Sequence, residues 1–548
     1  METEQKKRSK AYSISSFIMS LYLFLILGVF PLSYKYQYYK MDDFKYQFFR
    51  DVSVACVLIL FFFFWAVLLW RIERDKWQET KAVLFYKATV LDKAVLFYFF
   101  STTLSFLLSD FKEDCFYGSS GWYMGYLSQI LFVAVYFLVS RAWEFQHEYI
   151  GLFLAVSAAV FMFGILHRFD LDILGVYGNL ALKYKMEFLS TVGQSSWYSS
   201  FLCTVFPLGL YLFFAADRVW IRLTTGIFSC LSMLTLVTQN TDSAFLCLAA
   251  VLIVIFYLAF DGKKQMWRFL EILILISGSF TFMGICQKVF AEHVVPIDPL
   301  SVFASQGWVS PCVFGILLVL YGWCHFKEIG ERLEDKAENL DAATEKKEQA
   351  GELSRKWFWV FTAVFSTGIL LVIVFIILNS TDFLYAYFGY RNVDNYLLFT
   401  DEWGNRRGFA WRFTCETYGQ QPFLQKLFGV GPDGYYFYNK SVPGLSQQVR
   451  DFWGNLALTN AHNEYLTKLY NLGIVGLFSY VFMLGSAVSL FVKKRKEHIL
   501  LPAFALCAVS YMTHNIFCYE QVCCSPFFYI LMGFGSNLIY NNKKKSTY

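Results

Sequence analysis

The chain reads as an all-α polytopic membrane protein. Its 548 residues are 57% hydrophobic and 20% aromatic but only 16% charged, which leaves too little polar surface for a water-soluble globule of this length. Apolar runs of about 18 to 22 residues recur along nearly the whole chain, each long enough to cross a ~30 Å hydrocarbon layer as a helix. Most of these runs are apolar on every side. That excludes the amphipathic helices of a soluble bundle and calls for lipid or protein interior all round.

About 14 transmembrane helices follow, at 14–33, 52–70, 92–109, 121–140, 149–166, 197–216, 219–238, 243–260, 269–285, 307–326, 357–379, 471–492, 499–517 and 525–541. The first follows Lys6, Lys7, Arg8 and Lys10 as a signal peptide would. No small-x-small cleavage site succeeds it and many spans do, so a retained anchor is expected. Three regions result: an N-terminal transmembrane bundle over 1–326 (spans 1–10), a charged cytoplasmic linker helix at 327–356, and a region at 357–548. The last holds a large extracytoplasmic loop containing helices, 380–462, and spans 11–14.

Lysine and arginine fix the orientation. With the N-terminus inside, about two thirds of the 47 basic residues fall on the cytoplasmic side. Lys263, Lys264 and Arg268 lie inside, as do Lys493 to Lys496 and the tail Lys543 to Lys545, so both termini are expected to be cytoplasmic. The loop at 34–51 fits this pattern poorly. The net charge of +5 is accounted for by the same bias and gives no reason to expect a nucleic-acid partner. Of the 13 cysteines most lie in apolar runs, and Cys115, Cys415, Cys518, Cys523 and Cys524 could face outward. No spacing resembles a metal site or a disulfide framework.

Two polar insertions interrupt the spans. The first, 327–356, mixes charges and has few apolar positions to dock, as a solvated helix would. The second, 380–462, is rich in Trp, Tyr, Phe, Gly and Arg. So aromatic a segment is expected to be ordered and packed on the membrane face. Gly404 to Arg412 opens a helix that Gly419 and Pro422 end. Arg407 and Trp411, four apart, share a face, with Arg406 and Arg412 beside them. Such a cluster suits either the phosphate of a lipid headgroup or interfacial anchoring. Phe428 to Tyr435 holds three glycines and a proline and demands a tight turn with positive φ, in which Asp433 suits an Asx-type arrangement.

Ala461-His462-Asn463-Glu464-Tyr465-Leu466 then leads into a strongly apolar helix. An imidazole there can exchange a proton near neutral pH where lipid-borne substrates arrive. The plainer role is a structural histidine at a helix start, with Asn460 or Asn463 as the cap and Glu464 orienting the ring or complementing the helix dipole. His514 lies near the outer end of a later span, either packed or reaching the same cavity. The patch Ser190 to Tyr198, with Ser195, permits close helix packing or offers hydrogen bonds to a diphosphate. Asp242, in the tight turn after the seventh span, is costly enough there to point to a function or a partner.

Together these segments resemble the O-antigen ligase family, bacterial membrane proteins that include lipopolysaccharide ligases and related glycan polymerases. The resemblance rests on Arg407-Gly-x-x-Trp411, Gly429-Val-Gly-Pro-Asp433, and His462-Asn463 followed by Gly473 and Gly476. The patch at 190–198 and the stretch from Tyr511 through Asn515 to Pro526 and Gly533 add to it. It implies a GT-C-like, metal-independent glycosyltransferase without cofactors in the bacterial plasma (inner) membrane, with an extracytoplasmic active site. An undecaprenyl-diphosphate-linked glycan would be the donor, and a glycan, lipid or wall polymer the acceptor. His462 would act as base, and Arg407, Arg412 and Arg406 would meet the diphosphate. Asn463, Glu464, Trp411, Asp242, Ser195 and His514 would support them. Many members carry Ser-Arg where this chain reads Thr241-Asp242-Ser243-Ala244; if that arginine contacts phosphate, its role here passes to Arg406, Arg407, Arg412 or Arg450, or the donor is gripped differently. The alternative, a transporter or flippase of a lipid-linked glycan, calls for paired ionisable residues at mid-span and an inverted repeat. Neither is evident in the sequence.

Overall fold

The structure, a computed structural model, describes residues 10–73, 88–178, 180–334, 342–394, 396–454 and 456–546. Lys6, Lys7 and Arg8, and residues 335–341 of the expected linker, lie outside them. The described residues are overwhelmingly helical, with one two-residue antiparallel pair, Phe188–Leu189 against Gly193–Gln194. All 13 cysteines are free thiols; Cys115, Cys518, Cys523 and Cys524 are buried and Cys415 is exposed.

Among the described residues, ten helices are long and apolar enough to cross a membrane. They are Lys10–Val29, Met41–Trp70, Val90–Leu108, Glu148–Arg168, Ser195–Ala215, Val219–Leu236, Lys263–Val289, Val309–Phe326, Trp357–Ser380 and Glu464–Lys493. The segments expected at 121–140, 243–260 and 499–517 form the shorter apolar helices Tyr126–Arg141, Ser243–Ala259 and Leu500–His514. The segment at 525–541 lies within the helix Ser525–Ser546. The helix expected at 471–492 begins earlier, at Glu464. Hydropathy excludes Glu464 and Lys468 from an apolar run, but the two charges neutralise each other across one helical turn.

The charged side chains around Asp92 show how polar groups inside the bundle can be paired, as a medium without water favours. Val90–Leu108 opens with a capping box: Thr89 Oγ1 accepts from the Asp92 N–H (3.1 Å) and Asp92 Oδ2 accepts from the Thr89 N–H (2.7 Å). Tyr136 OH donates to the other oxygen of Asp92 at 2.7 Å, and Arg141 closes an ion pair with it. Ser195–Ala215 is surrounded by protein, whereas Val309–Phe326 and Trp357–Ser380 are almost wholly uncovered. The apolar surfaces of these two outlying helices suit lipid.

The 380–462 segment carries its own small core. Phe409, Phe413, Val430, Tyr435 and Val449 pack with Ala461 and with Tyr470 of the following helix. Phe409 stacks on Phe452 at 4.3 Å, and Thr414 Oγ1 lies 2.8 Å from Tyr435 OH. The aromatic residues that rule out a solvated loop are those that bury one another.

Candidate functional site

The site is framed by a reciprocal approach of two backbones. The helix Glu464–Lys493 is interrupted at Gly473, at φ 69° and ψ −174°, a conformation reserved for glycine. A Cβ there would stand 2.3 Å from the Leu427 carbonyl. Across the contact, Gly429 is at φ +78°, and its Cβ would lie 2.1 Å from the Asn471 oxygen. The carbonyls released by the kink are used: Gly431 N–H donates to Asn471 O at 2.9 Å and Val430 N–H to Tyr470 O at 3.3 Å. Asp433, expected to form a local Asx-type turn, instead reaches the 118–125 loop, where its Oδ2 accepts from the N–H groups of Ser119 (2.7 Å) and Met124 (3.2 Å). Burial pushes its carboxyl up to about 7.

His462 sits just before that helix, itself in the left-handed region at φ 50°. Its N–H donates to Asn460 Oδ1 at 2.9 Å, which holds the turn. Asn463 is the cap: its Oδ1 accepts from the Leu466 N–H at 3.0 Å. The half-buried imidazole is stacked on Trp453 (6.0 Å, 3°) and meets the edge of Tyr519 at 5.3 Å. Among the described residues neither ring nitrogen has a hydrogen-bond partner. Burial, and then the Arg407 guanidinium, bring its pKa down to about 3, so the ring is neutral at physiological pH.

The three arginines separate. The residues Gly404, Asn405 and Arg406 are all left-handed, so the regular part of the helix Trp403–Gln420 starts at Arg407. Arg407 is fixed by two carbonyls, Nε donating to Phe517 O (2.9 Å) and Nη1 to Gly404 O (2.8 Å). Trp411, on the same helix face, packs its ring on that of Phe517 at 5.9 Å. Arg406 lies over the ring of Trp453 at 5.7 Å, the ring on which His462 stacks. Arg412 faces elsewhere, exposed and engaged with Asp401 (2.7 Å) and Glu416 (3.0 Å).

Asp242 and His514 come to the same neighbourhood from other helices. Asp242 Oδ2 accepts from Tyr396 OH at 3.0 Å. Burial and then the nearby Asp298 carboxylate raise its pKa, against the pull of Arg407. His514 is buried, with Nε2 3.2 Å from Ser199 Oγ. Ser195 begins its helix, its N–H donating to Glu187 O at 2.6 Å. It adjoins the site through Gln194, whose Oε1 accepts from Tyr519 OH at 3.3 Å.

Glu464 does not turn to the His462 ring. Its Oε1 lies 3.1 Å from Lys468 Nζ, which also holds Glu520 Oε2 at 2.9 Å. This buried ionic set lines a small polar cavity with Asp433, Asn460 and Asn471. The space is small, with room for roughly one or two waters. Sequence reading passed over Lys468, Glu520, Trp453 and Tyr519. The Glu464-to-Lys468 spacing of four at a helix start was the one legible signal.

A bundle of membrane-length apolar helices carrying a folded polar segment defines a multi-pass membrane protein. Residues 350–481 match a family model described as O-antigen ligase. The matched stretch includes Arg406, Arg407, Trp411, Arg412, His462, Asn463 and Glu464, and leaves Ser195, Asp242 and His514 outside. The match supports a glycan ligase or polymerase role. Comparison with curated proteins finds no match.

Proposed function

We propose that the protein transfers a glycan from an undecaprenyl-diphosphate-linked donor to an acceptor hydroxyl at the outer face of a bacterial plasma membrane. The reading includes fourteen crossings, a GT-C-like architecture and both termini in the cytoplasm. The observations that support it most are an unpartnered imidazole, His462, and a carbonyl-anchored guanidinium, Arg407, near enough to lower its pKa. The acceptor oxygen attacks the anomeric carbon and its proton passes to His462. The new glycosidic C–O bond forms as the bond from C1 to the phosphate oxygen breaks, and the diphosphate leaves with the electron pair. Arg407 meets the charge that grows on that leaving group, with Arg406 beside it, so the countercharge is supplied by guanidinium groups already in place. A ring held neutral by burial and by Arg407 gains basicity as that negative charge develops next to it. Trp411 and Asn463 support the two groups by packing and capping, and Asp242, Ser195 and His514 line the approach from the bundle.

His462→Ala removes the base and is expected to lower transfer about 10²–10⁴-fold. Arg407→Ala is expected to be at least as damaging, while both proteins still insert and accumulate. The assay is transfer in membranes supplied with purified lipid-diphosphate-linked glycan. Near-normal transfer by both variants would overturn the assignment.

A further inference from the structure

We propose that Lys468 is a positioning residue whose buried ammonium, by clamping Glu464 to Glu520, sets the placement of His462 relative to Arg407. The inference rests on the reading of those two residues as the reacting pair. Glu464 follows His462-Asn463 directly, and its backbone N–H donates to Asn515 O at 2.9 Å. Its Oε2 accepts the Glu520 N–H at 2.8 Å, so carboxylate and main chain both tie the helix start to the 515–520 loop. That loop holds Arg407 through the Phe517 carbonyl and presents Tyr519 to the His462 ring. One short segment therefore grips the guanidinium at one point and the imidazole at another.

The clamp depends on the cation. Glu464 and Glu520 are both buried, and they face each other with Lys468 Nζ between them at 3.1 and 2.9 Å. The remaining surroundings of the ammonium are the rings of Tyr480 (5.1 Å) and Tyr98 (5.5 Å). Glu520 Oε1 accepts from Tyr480 OH (2.9 Å) and Tyr511 OH (2.7 Å), and Asn515 Nδ2 donates to Tyr480 OH at 3.0 Å. Asp433 adds a third carboxylate to the same cavity. Without the ammonium, two facing carboxylates in a poorly solvated site repel, and the loop and the helix start separate. None of the three groups reaches the free ring nitrogens of His462, so their effect is on geometry.

The test compares Lys468→Met, which keeps the bulk and loses the charge, with Lys468→Arg, which keeps the charge. A third variant, Glu464→Gln/Lys468→Met/Glu520→Gln, leaves no unpaired buried charge and serves if Lys468→Met does not accumulate. Displacement of one group by about 1 Å costs on the order of 100-fold in turnover, so kcat should fall by that factor. KM should stay within about threefold, since the donor's binding groups remain. Lys468→Arg should recover most of the loss. A second readout needs no substrate: the yield of cross-linking between His462→Cys and Tyr519→Cys by a short thiol reagent. It should fall with Lys468→Met and the triple variant and recover with Lys468→Arg. Unchanged kcat and unchanged cross-linking in Lys468→Met and the triple variant would overturn the clamp. Altered cross-linking, when the protein with His462 and Tyr519 intact transfers no glycan, would sustain the clamp and overturn the proposed function instead.

Discussion

Gly473→Ala tests the frame of the site most directly. The residue sits at φ 69° and ψ −174°, where an L side chain is strained by about 1–3 kcal/mol. The added methyl would also stand 2.3 Å from the carbonyl carbon and oxygen of Leu427 and 2.4 Å from Phe428 N. These are backbone atoms and cannot rotate away. Relief requires the 427–433 turn and the helix to part by about 1 Å, which gives up hydrogen bonds worth about 1 kcal/mol each. Those at stake are Gly431 N–H to Asn471 O (2.9 Å) and Val430 N–H to Tyr470 O (3.3 Å). The sum is about 3–5 kcal/mol, a large share of the 5–15 kcal/mol typical of a folded domain. Gly485→Ala is the control: it lies in the same helix, and its Cβ would meet nothing within 4 Å. Alanine there is neutral, or stabilising by up to about 1 kcal/mol. Melting in detergent and glycan transfer should both fall for Gly473→Ala alone. Equal melting temperatures for the two alanine variants would refute the close-approach reasoning.

Other outcomes separate the roles assigned above. Arg412→Ala should leave transfer nearly intact while Arg407→Ala does not, because Arg412 is spent on exposed ion pairs worth about 0–1 kcal/mol; equal losses in a side-by-side transfer assay would contradict this. Asp433 has its carboxyl raised from 3.8 to about 7, so the stability it lends is complete below its unfolded pKa and lost as pH rises through about 7. Asp433→Asn should flatten that decline in melting curves taken from acid to mildly basic pH, and parallel curves for the two proteins would count against it. His462 is lowered to about 3, so the stability from its neutral ring is present above the unfolded value and lost as pH falls towards 3. Its chemical shifts should show no titration step near 6.5, and such a step would mean the ring is not buried beside Arg407.

Much of the frame was legible in the sequence because it follows from local rules. The glycines at 429 and 431 announced positive φ, and Asn463 was one of two residues suited to cap the helix, whereas the left-handed break at Gly473 within an apolar run was not announced. The four-residue spacing of Arg407 and Trp411 placed both on the face that meets Phe517. Asp433 and Glu464 were read locally, as a turn former and as a partner for the ring or helix dipole. Asp433 instead turned to backbone amides of the 118–125 loop, and Glu464, away from the ring, to Lys468 one turn on and through it to Glu520, partners of which only the i,i+4 lysine follows from a spacing rule.

Composition and hydropathy period alone thus determined a helical membrane protein with an ordered aromatic segment, since the membrane requirement acts on each run of residues separately. Which arginine stands beside His462, and which charges cancel behind it, only the tertiary structure decided. Arg406, Arg407 and Arg412 are nearly alike as sequence. They differ because left-handed backbone at 404–406 turns one guanidinium onto Trp453, the Phe517 carbonyl holds the second, and surface carboxylates take the third. Those partners come from distant parts of the chain, and electrostatic and hydrogen-bond energies depend on distance in space, not on separation along the sequence.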